Sequence, residues 1–306
     1  MAVLITGGMG FVGLHAARCF LDAGSRVLLT RYRTWRAPDI LAAELGGDHL
    51  AVEQVDLADG WALLEVVRRY GVRSLLHLAG PPLDTPPAAA YTAALTGLIN
   101  VLEAARQQGL ERVTVASSIA VYAGAGPGPW REEQPLPEAS SNQVGAIKKA
   151  VEALALDYGS HTGLDVRVIR LAGIYGPLYH SMANLPSRLC HAAVAGRQPD
   201  LRDVRPAADL CYVKDAAAGI QRLHAATRLH YPIYNLGSGR AATTQELVAA
   251  VARAAPEAHF ELHAEDPPAA GWMDISRAQR DADYKPGYDL DAGVADYIAW
   301  LKGHTE

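Results

Sequence analysis

The sequence is poor in residues that indicate a secreted, disulfide-bonded or metal-binding protein. Its 306 residues include three cysteines, Cys19, Cys190 and Cys211, whose spacing matches no metal-ligand motif. An odd number of scattered cysteines favours a reducing compartment in which the thiols are buried. The first apolar segment, "AVLIT", lacks the length and the basic start of a signal peptide. We therefore expect a cytoplasmic protein without a metal.

Long runs of one charge and long apolar runs are also lacking. The net charge is −5, with acidic and basic residues interspersed along the chain. No apolar run reaches the roughly 18 residues needed to span a bilayer. These features disfavour a nucleic acid or a membrane as partner and leave a small-molecule substrate as the expectation.

Short apolar runs that alternate with amphipathic, helix-length segments predict the fold. Half of the residues are apolar, enough for a large core. Continuous apolar strands separated by helices indicate a parallel sheet covered on both faces, and right-handed crossovers make it an α/β, Rossmann-type doubly wound sheet. The predicted strands are 2–6, 26–30, 50–55, 73–78, 112–116 and 165–170, and the predicted helices include 11–23, 60–70, 88–109 and 143–160.

The alternation loosens after about residue 175, and this change predicts the domain organisation. Pro, Gly and His interrupt 175–210, and 256–290 is also irregular. We expect a dinucleotide-binding domain over 1–174, to which 211–255 returns. The segments 175–210 and 256–306 would form most of a small C-terminal, substrate-binding lobe.

A glycine-rich turn, "LITGGMGFVGLHAA", joins the first strand to the first helix. In this context Gly7 permits a tight turn, and Gly10 lets a pyrophosphate approach the positive helix end. Gly13 allows the helix to pack closely on the strand. A plain strand-to-helix turn is the alternative, and the position at the start of a βαβ unit argues against it.

The end of the second strand, "LLTRYR", bears on the choice of cofactor. Arg31 and Arg33 stand where a carboxylate would hold a ribose 2′-hydroxyl, and Arg36 follows. Guanidinium groups suit a 2′-phosphate, so NADP is favoured and NAD remains possible. Solvated loop arginines are the alternative. Asp56, after the third strand, is positioned to accept from an adenine amino group.

Motifs along nearly the whole chain resemble the extended short-chain dehydrogenases of the NAD-dependent epimerase/dehydratase family. They are "TGGMGFVG", "GLINVLEAARQQGLERVTVASSIAVYAG", "VIRLAGIYGP", "DLCYVKDAAAGI" and "YNLGSGRAATTQELV". The resemblance implies a Rossmann-type domain and a homodimer formed through a four-helix bundle by the helices near 88–108 and 143–160. The cofactor-binding residues that we expect on this basis are Gly7, Gly10, Phe11, Val12, Gly13, Arg31, Arg33, Asp56, Leu57, Leu78, Ala79, Gly80, Lys148 and Ala172.

The family's catalytic set is Ser or Thr, Tyr and Lys, with the Tyr four residues before the Lys. On that pattern Ser118 takes the serine position and Lys148 the lysine position, but Val144 takes the tyrosine position. The family tyrosine moves a proton to or from a hydroxyl or carbonyl, and valine has no proton to move. Lys148 could still bind the nicotinamide ribose. The alternative is that it is a solvated helix lysine beside Lys149.

Several groups are candidates to replace the missing acid. Tyr179 and His180 follow the sixth strand, at the expected mouth of the cleft, and we select them together with Ser118 and Lys148 as catalytic candidates. A water held by Ser118 and Lys148, or Lys148 itself with a lowered pKa, are further routes. Packing roles are favoured for Tyr122, Tyr175 and His77, and a surface role for Asp84.

Other departures from the family concern the substrate. Gly173 stands where the family has a substrate-binding asparagine, and Ala208 where it has an arginine that binds a nucleotide-sugar diphosphate. The stretch "HAEDPPAAG" lacks a second such arginine. An unpaired diphosphate in a cleft is costly, so these absences disfavour a nucleotide sugar. Substitutes from the lobe remain possible, namely Arg188, Arg197, Arg202 and Arg205.

The sequence thus supports three functions to different degrees. The first is an NAD(P)-dependent oxidoreductase or epimerase that acts on a small polar substrate with a non-standard proton donor. The second is a non-redox lyase or cyclase on the same scaffold, because the pocket is kept while the tyrosine is lost. The third is a cofactor-binding protein without turnover.

Overall fold

A computed structural model describes residues 2–32, 39–179, 181–199, 208–260 and 271–304. Its main sheet has seven strands in the order β3-β2-β1-β4-β5-β6-β9, and β7 and β8 form a separate parallel pair. The order 3-2-1-4-5-6 is that of the Rossmann doubly wound sheet, so the predicted fold class is confirmed. The strands are β1 (Ala2–Thr6), β2 (Arg26–Arg31), β3 (Leu50–Gln54), β4 (Ser74–His77), β5 (Arg112–Ser118), β6 (Val166–Leu171), β7 (Gly173–Tyr175), β8 (Leu210–Tyr212) and β9 (Ile233–Leu236).

Burial on both faces of the central strands explains their continuous apolar sequence. All five residues of β1 are buried, and β1 pairs in parallel with β2 on one side and β4 on the other. Each predicted strand and helix ends within two residues of the predicted bounds. The helices are α1 (Phe11–Asp22), α2 (Gly60–Arg69), α3 (Pro87–Gln107), α4 (Gln143–Thr162), α5 (Leu185–Val194), α6 (Val213–Ala225), α7 (Thr244–Ala254), α8 (Ser276–Ala282) and α9 (Leu290–Gly303).

The chain divides into two compact units. Unit 1 comprises Met1–Ala125, Pro135–Arg170 and Ile220–Tyr234, and unit 2 comprises Gly126–Gln134, Leu171–Gly219 and Asn235–Glu306. The core of unit 1 includes Leu4, Leu63 and Val101. The core of unit 2 joins residues of α5, α7 and α9 with the tyrosines of β7 and β8. The division into a dinucleotide domain and a substrate lobe stays a prediction.

One helix of the described part of the chain, α3, is long and apolar enough to cross a membrane by length and composition alone. In its apolar window 44% of the residues are buried, and Leu98, Val101 and Leu102 are fully buried in the core of unit 1. Packing in that core accounts for this part of the apolar composition of α3.

Candidate active site

The glycine turn of unit 1 depends on the backbone conformation of Gly7 and on the close approach of Gly13 to it. Gly7 has φ 68°, in the left-handed region that favours glycine, and its carbonyl accepts a hydrogen bond of 2.9 Å from the Gly10 N–H. A Cβ on Gly13 would lie 2.4 Å from the Gly7 carbonyl oxygen. The turn therefore requires glycine at both positions, which accounts for the motif in local terms.

The start of α1 has the properties of an anion site. Gly10 is the N-cap and gives no side-chain cap, and the first turn of the helix carries no acidic residue. A Cβ on Gly10 would meet only the Gly7 carbonyl oxygen, at 3.1 Å, so the space beside its backbone is otherwise open. A phosphate could approach these N–H groups and the positive end of the helix.

The loop that follows β4 packs directly against this turn. The Leu78 N–H donates to the Thr6 carbonyl at 3.1 Å, and a Cβ on Gly7 would lie 2.8 Å from the Ala79 nitrogen. Gly80 is exposed. The structure therefore brings together the predicted cofactor residues of both loops, whereas Ala172 is a buried residue of unit 2.

The carboxyl ends of β2 and β3 lie beside the glycine turn in the same sheet. Arg31 is the last residue of β2, half-buried, and its carbonyl accepts from the Val55 N–H at 3.0 Å. Asp56 is exposed and accepts from the Ala58 N–H at 2.9 Å. The Leu57 carbonyl accepts from Asn100 at 2.7 Å. A dinucleotide lying over the turn would meet this edge of the sheet. Arg33 and Arg36 lie outside the described residues.

The residues on the family's catalytic positions sit on β5 and α4. The Lys148 Nζ donates to the carbonyl of Ala116, near the end of β5, at 2.7 Å. Ser118 ends that strand, and its hydroxyl accepts from the Ala120 N–H at 3.2 Å, which leaves its proton available to a substrate oxygen. Val144 lies one turn before Lys148 on α4 and is half-buried. An aliphatic side chain therefore occupies this helix face.

The electrostatics of Lys148 differ from those of a solvated lysine. Burial lowers its pKa to about 8, and the Glu152 carboxylate opposes that shift. The buried ring of His77, at the end of β4, lies close enough to feel this charge. Burial, and then the positive charge of Lys148, lowers the pKa of His77 to about 3, and the ring exchanges a 2.7 Å hydrogen bond with Thr6. His77 is thus a neutral, hydrogen-bonded core residue.

A buried polar network lies directly behind Lys148. The Ser117 hydroxyl donates to Glu152, and Arg170 on β6 donates to both carboxylate oxygens, with Nη2 to Oε2 at 2.7 Å and Nε to Oε1 at 2.9 Å. Arg170 Nη1 also donates to the Tyr122 hydroxyl at 2.6 Å. Sequence reasoning assigned no role to Ser117 or Arg170. An arginine inside the apolar run "VIRLAG" was the available signal, because a buried arginine needs an acceptor.

The alternative proton donors occupy different surroundings. Tyr122 is fully buried, and its hydroxyl accepts a hydrogen bond from Arg170. Tyr175 is buried within unit 2, where desolvation raises its pKa. Tyr179 is half-buried, and burial raises its pKa against the opposing effect of a hydrogen bond with Ser181. Asp84 is exposed. His180 lies outside the described residues.

Two positions in unit 2 bear on the substrate. A Cβ on Gly173 would lie 3.1 Å from the Asp209 carbonyl oxygen, so close packing of β7 on β8 accounts for a glycine there. Ala208 precedes Asp209, whose buried carboxylate accepts from the Ser238 N–H at 2.8 Å and the Met273 N–H at 3.1 Å. Asp209 is therefore engaged in holding loops of unit 2. Arg202 and Arg205 lie outside the described residues.

The sheet order, the glycine turn and the helix that starts from it define an α/β protein of the Rossmann type. The comparison with known families agrees with this class. The chain belongs to the NAD dependent epimerase/dehydratase family, whose model matches residues 3–237. Relatives in this family are enzymes, and so is this chain.

Individual relatives span almost the whole chain. The UDP-glucuronate 4-epimerase of Thermodesulfobacterium geofontis is 25% identical and covers 99% of this chain and 97% of its own length. The dTDP-glucose 4,6-dehydratase of Bacillus anthracis, solved in complex with NAD, is similar in fold, with a TM-score of 0.85, 20% identity and coverage of 99% and 97%. A partial consensus L-threonine 3-dehydrogenase is 26% identical, with a TM-score of 0.82 and coverage of 99% and 100%.

Proposed function

We propose that this chain is a nicotinamide-dependent oxidoreductase or epimerase of a small polar substrate other than a nucleotide sugar, in which Lys148 carries the proton that the family tyrosine would carry. The observation that supports this most directly is the pairing of Val144 with a retained Lys148, whose Nζ rests on the Ala116 carbonyl. The hydroxyl of Ser118 follows two residues later on the same strand.

The residues of unit 1 fit a dinucleotide. The turn from Gly7 to Gly13 would hold the pyrophosphate, and Asp56 would accept from the adenine amino group. Arg31 would meet a 2′-phosphate, and for that reason we favour NADP over NAD. When bound, the cofactor supplies a hydride acceptor or donor.

The proton chemistry falls to Ser118 and Lys148. The serine hydroxyl would donate to a substrate oxygen and orient it. With its pKa lowered to about 8, the Lys148 amine is mostly protonated at neutral pH and can give up its proton within a physiological range. In the family pattern a tyrosine at residue 144 would transfer this proton. Tyr179 has a raised pKa, so its phenol gives up a proton less readily at neutral pH.

The proposed substrate class follows from the absence of two side chains that bind substrate in the family pattern. Ala208 and Gly173 offer neither the arginine nor the asparagine that the family pattern places there, and an unpaired diphosphate would be costly to bind. The relatives named as nucleotide-sugar enzymes argue instead for a nucleotide-sugar substrate. The L-threonine 3-dehydrogenase, as its name states, acts on a small amino acid, and it shares 26% identity with this chain.

The substrate lobe and the homodimer belong to the same proposal. We infer that the segments 175–210 and 256–306 select the substrate. We also infer that two copies associate through α3 and α4, and the exposed side chain of Ile99 on α3 is consistent with such an interface.

The experiment that tests this function has two stages. Fluorescence titration with NADPH and NADH should give micromolar binding, with NADPH the tighter ligand. Turnover is then measured on a panel of small hydroxy and keto compounds and of UDP- and dTDP-sugars. Absence of binding by either nucleotide, or turnover confined to the nucleotide sugars, would contradict the proposal.

Substitution separates the proton carrier from the cofactor contact. Lys148→Met should lower kcat on the active substrate by about 10²-fold or more, the usual contribution of a general acid or base. Lys149→Met is the matched control, because its amine binds the Ala139 carbonyl instead, and it should keep the wild-type kcat. If Lys148→Met changes only the dissociation constant of the nucleotide, Lys148 binds cofactor and does not carry the proton.

A further inference from the structure

Each of the last three residues of β5 contributes a different polar group to the site. The Ala116 carbonyl accepts from the Lys148 Nζ, the Ser117 hydroxyl donates to Glu152, and Ser118 presents its own hydroxyl. Lys148 and Glu152 are four residues apart on α4 and so lie on one helix face, a spacing at which lysine and glutamate commonly form an ion pair.

That ion pair is absent among the described contacts, because Glu152 is otherwise engaged. Arg170 donates to Oε1 at 2.9 Å and to Oε2 at 2.7 Å and 3.2 Å, a two-pronged interaction between side chains that are 3% and 5% exposed. Such planar, charge-assisted pairs outcompete a single ammonium contact. Ser117 donates to the same carboxylate, which fills its remaining acceptor capacity.

We propose that Arg170 is a positioning residue for Lys148: it engages both oxygens of Glu152, denies that carboxylate to the lysine, and so leaves the amine on the Ala116 carbonyl. This inference rests on the proposed function, in which Lys148 carries the proton. No contact of Arg170 with substrate or cofactor is implied.

No other charged or titratable group described around the Lys148 amine accounts for its position on the Ala116 carbonyl. His77 faces it from β4 and is neutral. Tyr122 is held by Arg170 from the short helix Ile119–Tyr122. The contact from α3, between Glu103 and Tyr158, lies ten residues further along α4, about 15 Å away at the rise of an α-helix. The charged groups that act on Lys148 are therefore Glu152 and Arg170. Burial lowers the pKa of the amine, and the Glu152 carboxylate opposes that shift.

The test is the titration of Lys148 in the protein without added cofactor or substrate, followed by NMR of lysine labelled at ¹³Cε. The chain has five lysines, and comparison with Lys148→Arg assigns the signal. The midpoint should rise by about one pH unit in Arg170→Gln, which frees the carboxylate, and fall by about one unit in Glu152→Gln, which frees the guanidinium. Opposite shifts are the signature, since a purely structural role would not give them.

Further variants keep the outcome decisive if a single change prevents folding. Arg170→Lys retains the positive charge but not the two-pronged contact, so its midpoint should lie between those of the wild type and Arg170→Gln. The double variant Glu152→Gln/Arg170→Met removes both charges and should titrate within half a unit of the wild type. Arg167→Gln is the matched control on β6, because Arg167 pairs with Asp165 and should leave the midpoint unchanged. Equal midpoints in all variants, shifts of one sign in both single variants, or a shift above one unit in the double variant would overturn the inference.

Failure of this inference is distinguishable from failure of the proposed function. If the midpoints move as expected but neither nucleotide binds and no compound is turned over, the tuning of Lys148 stands and the proposed activity does not. If activity depends on Lys148 while its midpoint is insensitive to Arg170, the proposed function stands and Arg170 is only structural.

Discussion

At the scale of single residues, Arg31 is the residue that bears most directly on the preference for NADP or NAD. It ends β2, next to β1 and the glycine turn, at the carboxyl edge where a parallel sheet of this type binds its ligand. A guanidinium there favours an additional phosphate, whereas a carboxylate would favour a free ribose hydroxyl.

Arg31→Asp is therefore expected to exchange the nucleotide preference. The dissociation constant of NADPH should rise at least tenfold, because an anion replaces the cation that we propose meets the 2′-phosphate, while that of NADH should fall or stay unchanged. Fluorescence titration measures both. Arg26→Asp, at the opposite end of the same strand, should leave both constants unaltered. Equal weakening of both nucleotides by Arg31→Asp would show that the arginine has no part in discriminating them.

At the scale of elements, α4 determines how the candidate catalytic groups are presented. The Asn142 side chain caps its start by accepting from the Gly145 N–H at 2.9 Å, and Gly163, with φ 74°, ends it. Between these caps the 3.6-residue period places Val144, Lys148 and Glu152 on one face. The cap at Asn142 stabilises the first turn of α4, which carries Val144 at the position of the family tyrosine.

Removal of this cap should be measurable as a loss of stability. Asn142→Ala is expected to lower the free energy of unfolding by about 1 kcal/mol, because an N–H at the helix start loses its acceptor. Urea denaturation followed by circular dichroism measures this. Asn142→Asp keeps an acceptor oxygen and should stay within a few tenths of a kcal/mol of the wild type. A larger loss in the aspartate variant than in the alanine variant would contradict the assignment of the cap.

At the scale of the whole molecule, two buried neutral histidines connect stability to pH. His77 bonds to Thr6, and His224 bonds to Thr114 and Ser74 at 2.8 Å each. Burial lowers the pKa of both rings to about 3. The unfolded chain binds a proton at each near pH 6.5, whereas the folded chain does so only near pH 3. Stability is therefore greatest above pH 6.5 and is lost as the pH falls from there toward 3.

The expected size of this effect is about 2 kcal/mol per histidine between pH 7 and pH 5. The thermal midpoint of the wild type should fall over this range, and His224→Gln, which retains polar contacts but does not titrate, should show a shallower pH dependence. His161→Gln changes an exposed histidine and should leave the slope of the wild type intact. A pH dependence with the same slope in all three proteins would remove His224 as its cause.

The parts of this protein that could be predicted from sequence are those governed by local rules. Apolar runs and helical periods depend on neighbours within a few residues, and they placed the strands, the helices and the sheet class. Gly7 and Gly13 were identified because a tight turn and a close helix approach admit only glycine. The spacing of Val144 from Lys148 likewise follows from one helix.

Only the tertiary structure decided which distant side chains meet and what charge they carry. Ser117, Glu152 and Arg170 belong to three elements, and their network exists because the order of strands brings β6 beside β5 with α4 packed against them. The acidity of Lys148 and the neutrality of His77 depend on burial, a property of the assembled fold. Local patterns therefore determined the scaffold and the candidate residues, whereas desolvation and long-range contacts, which no short window of sequence contains, determined their chemical state.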